Sequence, residues 1–228
     1  MRAAVLSLLV LLACQAPVTY PRAVDARAST FRVEGNHSVD GSRLSLGTDS
    51  YTSYGTAWVV FNEPDKSYLI TAGHVCKMAL WEVPEELGGG YFPQKSEYVL
   101  RSYASEEFTA RVLARSSDSD LCLLVTNHRI GPALHLATDY PAYDEPVMYV
   151  GAPSTIYGNG AAPVYRGVYA GSNVLAMPTA GGASGSAIMT RSGVVGVLTA
   201  VNRSFPNLTY MVLVDELRDF LRENRLPL

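Results

Sequence analysis

The sequence predicts an all-β chain of barrel or sandwich character that ends in one helix. About eleven short apolar runs follow one another with turn residues between them. The composition agrees, since 14 Tyr, 19 Gly and 13 Pro against 6 Phe favour strands and tight turns. With 228 residues, 48% hydrophobic and 17% charged, the chain buries a core, which excludes long disorder and coiled coil. A formal net charge of -3 and a pI near 5.8 argue against a protein that coats nucleic acid, which usually needs a basic face, so no nucleic-acid partner is expected.

The elements follow in chain order. Arg2 precedes an apolar run from Ala3 to Ala13, too short to span a membrane and of the length of a signal-peptide core, so an exported protein is expected. Two processing readings compete. Either residues 1–26 form a signal peptide cut after Ala26, with small residues at Val24 and Ala26, or lipid is attached at Cys14 in Leu11-Leu12-Ala13-Cys14. The second resembles a bacterial lipobox, although Leu12 is larger than the usual residue. Residues 27–44, rich in Ser, Asp, Gly and Arg, read as an exposed lead-in.

The apolar runs are Thr56 to Phe61, Ser67 to Thr71, Tyr98 to Tyr103, Phe108 to Leu113, Leu121 to Val125, Pro146 to Val150, Val164 to Tyr169, Val174 to Met177, Ser186 to Thr190, Val194 to Thr199 and Leu208 to Val214. Their connectors carry turn chemistry, as in Asn62-Glu63-Pro64-Asp65-Lys66, Gly158-Asn159-Gly160 and Arg191-Ser192-Gly193. The tail, residues 215–228, changes period. Asp215 can cap a helix whose Leu217, Phe220 and Leu221 fall at i, i+3 and i+4.

Three places on this framework carry chemistry. In Thr71-Ala72-Gly73-His74-Val75-Cys76 an apolar strand runs into a His with small neighbours, which lets an imidazole sit in a crowded cleft; a surface His ending a strand is the alternative. In Asp118-Ser119-Asp120-Leu121-Cys122 a carboxylate precedes a wholly apolar strand. A partly buried Asp120 needs donors, which makes it a candidate to orient a His, while Asp118 reads as a solvent-facing turn residue. In Gly181-Gly182-Ala183-Ser184-Gly185-Ser186-Ala187 a Ser stands among glycines on a tight turn. Backbone N–H groups can converge there, as an oxyanion in acyl transfer requires, each donor contributing roughly 3 to 4 kcal/mol, and Gly182 and Ser184 would supply them. A phosphate-cradling loop is disfavoured because no Lys follows and the flanks are strand-like.

Taken in order on an all-β chain, these words resemble the trypsin-like (chymotrypsin-fold) serine peptidases, compact bacterial or viral type. Thr71-Ala72-Gly73-His74 is similar to the family's Thr-Ala-Ala-His, Asp120-Leu121-Cys122-Leu123-Leu124 to its Asp before an apolar strand, and Gly182-Ala183-Ser184-Gly185-Ser186-Ala187 to its Gly-Asp/Asn-Ser-Gly-Gly/Ser-Pro. The resemblance runs from about residue 45 to the end. It implies two packed six-stranded antiparallel barrels, 45–130 and 131–214, with the site in the seam. It also implies Ser184 as nucleophile, His74 as general base and then acid, and Asp120 as the group that fixes the imidazole. Thr199 stands where the family has a Ser that hydrogen-bonds the Asp.

The departures are informative. Ala183 replaces the Asp that in trypsins pairs with a newly cut N-terminus, so that activation route is expected to be absent. The stretch after Ser184 is expected to finish a barrel and add the helix, without the PDZ domain of the HtrA peptidases. By position Pro178, Thr179, Thr199, Val201 and Leu208 are the substrate-contacting residues, and none is acidic, which disfavours cleavage after Lys or Arg. Leu198 stands where glutamate-specific members carry His, and Val201 where a Gly keeps the pocket open. A small or medium apolar residue before the cut is therefore expected.

Besides Cys14, only Cys76 and Cys122 remain, each two residues past a triad position. If His74 and Asp120 touch, a Cys76–Cys122 disulfide is expected in an oxidising compartment; two buried free thiols are the alternative. No Cys/His cluster has zinc spacing and His37, His128 and His135 are scattered, so neither metal nor cofactor is expected. The expected partner is a protein or peptide substrate, with a lipid anchor at Cys14 in the second processing reading. A silent family member used as a binding module, and an esterase-like hydrolase with the same triad, stay open.

Overall fold

A computed structural model describes residues 23–40, 48–77, 94–205 and 207–227. Their strands close into two six-stranded antiparallel barrels. The first holds β1 (Thr30–Asp40), β2 (Thr48–Asn62), β3 (Ser67–Ala72), β4 (Gln94–Arg101), β5 (Glu107–Arg115) and β6 (Leu121–Thr126), in the order β1-β2-β3-β6-β5-β4. The second holds β7 (Pro146–Val150), β8 (Val164–Gly171), β9 (Val174–Ala176), β10 (Ala187–Thr190), β11 (Gly193–Val201) and β12 (Leu208–Leu213), in the order β10-β11-β12-β9-β8-β7. A short helix α1 (Ala23–Ser29) precedes β1, and α2 (Val214–Glu223) follows β12. The expected all-β architecture of two barrels and a final helix is the one observed.

Alternation along the strands explains why several of them read as continuous apolar runs. In β6, Cys122 and Leu124 point into the first barrel while Leu121 and Leu123 point into the seam between barrels. Ala57 and Val59 of β2 likewise line the first barrel, and Trp58 between them faces the seam. From the other side the seam receives Met148, Val150, Ala187, Val197 and Val212, and α2 seals it with Leu217, Phe220 and Leu221. Strands buried on both faces lose the polar half of their pattern.

The exposed lead-in is corrected by β1. Residues 30–40 pair with β2 along their whole length and with β4 from Arg32 onward, so the first barrel closes only through them. Phe31, Val33, Gly35 and His37 face inward and are buried, whereas Asn36 on the other face is exposed. Two of the four inward positions are a glycine and a histidine, which hid the period-2 pattern from a reading by hydrophobicity. The terminal helix also starts one residue earlier than expected, so Asp215 lies in its first turn instead of capping it, and Glu216 Oε1 accepts from the Leu213 N–H at 3.4 Å. Cys14 lies outside the described residues. Ala26, at the expected cleavage point, is buried in the seam, and its carbonyl accepts from Thr30 Oγ1 at 2.7 Å.

Phe31→Ala tests the corrected boundary. The buried ring packs edge-on against Phe108 with centroids 6.2 Å apart, so its removal should cost on the order of 3 to 5 kcal/mol in denaturant unfolding. A change below about 0.5 kcal/mol, the size normal for exposed positions, would return β1 to the solvent.

Candidate active site

Strand register brings the first two candidate residues together. β3 pairs with β6 so that Thr71 faces Cys122 and Ala72 faces Leu121. The residue leaving β3 therefore meets the residue entering β6, which is Asp120. The chain turns there through a 3-10 helix, Gly73–Cys76. A Cβ on Gly73 would lie 2.9 Å from Asp120 Oδ1, which is why a residue without a side chain precedes His74. Both carboxylate oxygens are engaged. The His74 N–H donates to Oδ1 at 2.7 Å, and His74 Nδ1 lies 2.7 Å from Oδ2. Against an ionised carboxylate Nδ1 carries the proton, which leaves Nε2 as an acceptor on a side chain about half exposed. Asp118 is exposed in the preceding turn.

The turn's carbonyls are held from behind by side chains. Val75 O accepts from Ser53 Oγ at 2.8 Å, and Cys76 O accepts from Tyr98 Oη and Arg115 Nη1, both at 3.3 Å. Because Ser53 spends its proton on Val75, it accepts from Nε2 of the buried His37, 2.9 Å away. Cys76 and Cys122 form a disulfide with Cα atoms 6.4 Å apart, tying the turn to β6 two residues beyond each member of the pair. Sequence reasoning found the cysteines and missed Ser53, Tyr98, Arg115 and the place of His37. These residues act through contacts across the barrel, for which no local pattern exists.

The third candidate, Ser184, sits on a loop whose peptides alternate in direction. The Gly181 carbonyl accepts from the Ser154 N–H (2.6 Å), and the Gly182 carbonyl from Thr56 Oγ1 (2.9 Å). The Ala183 carbonyl accepts from the Ser186 N–H (3.0 Å), and the Ser184 carbonyl from the Thr56 N–H (2.8 Å). The N–H groups of Ala183 and Gly185 donate to Ala180 O and Leu198 O. Those of Gly182 and Ser184 have no acceptor among the described residues. In a trans peptide the N–H points opposite to the C=O, so both are turned away from these anchors, an arrangement that can receive a developing negative charge. The loop lies directly on the His74 side of the seam: a Cβ on Gly55 would come within 3.1 Å of Ser184 O and 2.6 Å of Val75 Cγ2. The Ser184 hydroxyl donates to Thr199 O at 3.3 Å.

Over residues 55–197 the sequence matches the family model described as the trypsin-like peptidase domain. The chain belongs to that family. No curated protein matches the sequence. Among solved structures the fold is similar to a serine endoprotease from Yersinia pestis, at 15% identity and a TM-score of 0.61 over 87% of this chain and 63% of that one. It is also similar to the HtrA-type protease AlgW solved with a decapeptide, at 15% identity and a TM-score of 0.65 over 87% of this chain and 65% of that one. The chain thus spans a little under two thirds of the length of both.

In this trypsin-like domain the expected substrate-contacting residues come from one end of the second barrel. Leu208 pairs with Ala176 and Val201 with Thr209, which brings Leu208 and Val201 towards the segment carrying Pro178 and Thr179. Pro178 is exposed; Thr179, Thr199, Val201 and Leu208 are half-buried. Beneath them the fully buried Tyr149 places its hydroxyl 3.2 Å from Pro178 O and 3.1 Å from Thr179 Oγ1, with its ring stacked on Tyr165. The sequence offered no signal for Tyr149 beyond its place in an apolar strand. The expected hydrogen bond from Thr199 to Asp120 is corrected: the Thr199 hydroxyl donates to Tyr210 O at 3.4 Å. The register of β11 against β12 shifts between Leu198 and Ala200, so Thr199 is a bulge residue with its hydroxyl on its own sheet.

Burial of the Asp120 carboxyl opposes its ionisation. The hydrogen bond from the His74 ring, the His74 charge and the backbone N–H groups of His74 and Gly73 outweigh it, and hold the group below its ordinary value of 3.8. A lowered carboxyl adds stability that is complete above 3.8 and is lost as pH falls through the lower folded value. Thermal melts of wild type and Asp120→Asn should therefore differ by a constant amount at neutral pH and converge below 3.8. A gap independent of pH would remove the charge of Asp120 from the site.

Proposed function

We propose that this chain is a serine endopeptidase in which Ser184, His74 and Asp120 act as nucleophile, general base and orienting carboxylate. The observation that carries the reading is the two-point grip of Asp120 on His74, which leaves Nε2 as a free acceptor for a serine proton. Substrate entry turns the Ser184 hydroxyl from Thr199 O to His74 Nε2. Oγ then attacks the scissile carbonyl as its proton passes to Nε2. The oxyanion is received by the N–H groups of Gly182 and Ser184. Collapse expels the amine, which takes the proton from Nε2, and water repeats the sequence on the acyl-enzyme. Throughout, Asp120 keeps Nδ1 protonated and stabilises the imidazolium.

Pro178, Thr179, Thr199, Val201 and Leu208 receive the residue before the cut. No carboxylate stands among them, and the Tyr149 hydroxyl is occupied by Pro178 and Thr179, which supports a small or medium apolar side chain. A peptide substrate is supported by the family and by the decapeptide in the AlgW structure. The disulfide supports an exported protein working in an oxidising compartment, after removal of an N-terminal signal segment or lipid attachment at Cys14.

Fluorophosphonate labelling with adduct mapping tests the reading. One adduct on Ser184, absent from Ser184→Ala and slowed on the order of 10⁴-fold in Asp120→Asn, is expected; no adduct on folded wild type would make the chain a silent member of its family. A peptide library should be cut after residues such as Ala, Val or Leu. Cleavage confined to Arg or Lys would overturn the pocket, and turnover of esters without peptides would make the protein an esterase.

A further inference from the structure

Ala183 removes the carboxylate that could pair with a new N-terminus, yet the loop around it is held at every peptide. Thr56 supplies two of the holds. It lies on β2 of the first barrel, is fully buried, and reaches across the seam. Its Oγ1–H donates to Gly182 O at 2.9 Å and its N–H to Ser184 O at 2.8 Å. The same Oγ1 accepts from the Ala152 N–H at 3.0 Å, and the Thr56 carbonyl accepts from Thr71 Oγ1 at 2.7 Å. Each of these polar groups is satisfied by a partner of defined direction.

The two peptides that Thr56 grips alternate with the two whose N–H groups are unengaged. Gly182 carries φ of +92°, a conformation with little steric restoring force in a glycine, and the loop itself supplies its flanking peptides with one hold, the Ala183 N–H on Ala180 O. Their carbonyls are gripped from outside the loop. Ser154 holds the peptide before Gly182, and Thr56 holds the one after it. The β-branched side chain has few rotamers available, which suits it to aim a hydroxyl between Ala152 and Gly182.

We propose that Thr56 is a positioning residue for the oxyanion site, keeping the N–H groups of Gly182 and Ser184 turned towards the substrate without an activating cut. The proposal rests on the hydrolase reading of Ser184 and deepens it. Thr56 touches no reacting atom. It acts on the barrier because a donor that has swung away no longer meets the charge that develops on the carbonyl, while substrate binding in the ground state is little changed.

The test compares Thr56→Val and Thr56→Ala, which lose the hydroxyl, with Thr56→Ser, which keeps it, in the full chain. Thermal melts establish folding, and kcat and KM are measured separately on one cleaved peptide. The hydroxyl-free variants should lose about 10- to 100-fold in kcat with KM within about twofold, and fluorophosphonate labelling of Ser184 should slow in parallel. Thr56→Ser should stay within about threefold of wild type. The proposal is overturned by a folded hydroxyl-free variant with wild-type kcat, by a Ser variant as impaired as Val, or by loss of folding in both Val and Ala, which would make Thr56 a purely structural residue. Absence of a Ser184 adduct in wild type would fail the hydrolase reading instead, before any variant is compared.

Discussion

The pairing of β3 with β6 is the constraint on which the site depends. With Ala72 opposite Leu121, the turn leaving one strand meets the carboxylate entering the other, and His74 needs no long-range search to find Asp120. The register is strongly specified. A slip of one residue would move Leu121 and Leu123 out of the seam and send Cys122 and Leu124 into it, exchanging the contents of two cores at once. The disulfide adds a covalent constraint two residues beyond each member of the pair.

The seam between the barrels then brings the two separate closures against one another. Its interior is apolar, with Trp58, Ile70 and Leu123 meeting Met148, Val150 and Val197. Its rim is built from backbone groups that each require a partner. Barrel one contributes the His74 turn and the Thr56 groups, and barrel two contributes the Ser184 loop. Apolar burial sets how close the barrels come, whereas hydrogen bonds at the rim set the direction in which each peptide points. The Ser184 loop has little side-chain bulk of its own, so its geometry belongs to its neighbours.

Charge is used sparingly at this site. Among the described residues Asp120 is the one carboxylate bonded to His74, held ionised by the ring and two backbone N–H groups. The second histidine nearby, His37, is kept in an apolar and aromatic setting against Tyr51 and Tyr98, where burial lowers its pKa and favours the neutral ring. A neutral His37 supports the His74 turn through Ser53 without placing a further charge beside it.

Much of the fold was legible in the sequence because short strands with turn residues between them leave a local record. The three chemical words were legible for a related reason: a His after a strand, an Asp before one and a Ser among glycines each need small or apolar neighbours in the chain itself. β1 was missed because Gly35 and His37 occupy inward positions, and the barrel supplies the burial that hydrophobicity did not announce. Thr199 was misassigned because a bulge in β11 turned its hydroxyl to Tyr210. Thr56, Ser53 and Tyr149 left no local signal. What the sequence determined by itself was therefore the alternation of strands and turns and the identity of the candidate side chains, both governed by neighbours along the chain. Tertiary structure alone decided which way the peptides of the Ser184 loop face and which groups hold them, because Thr56 reaches two of their carbonyls from the opposite barrel, while the Ser154 N–H and Leu198 O hold other groups of the loop from distant parts of the second.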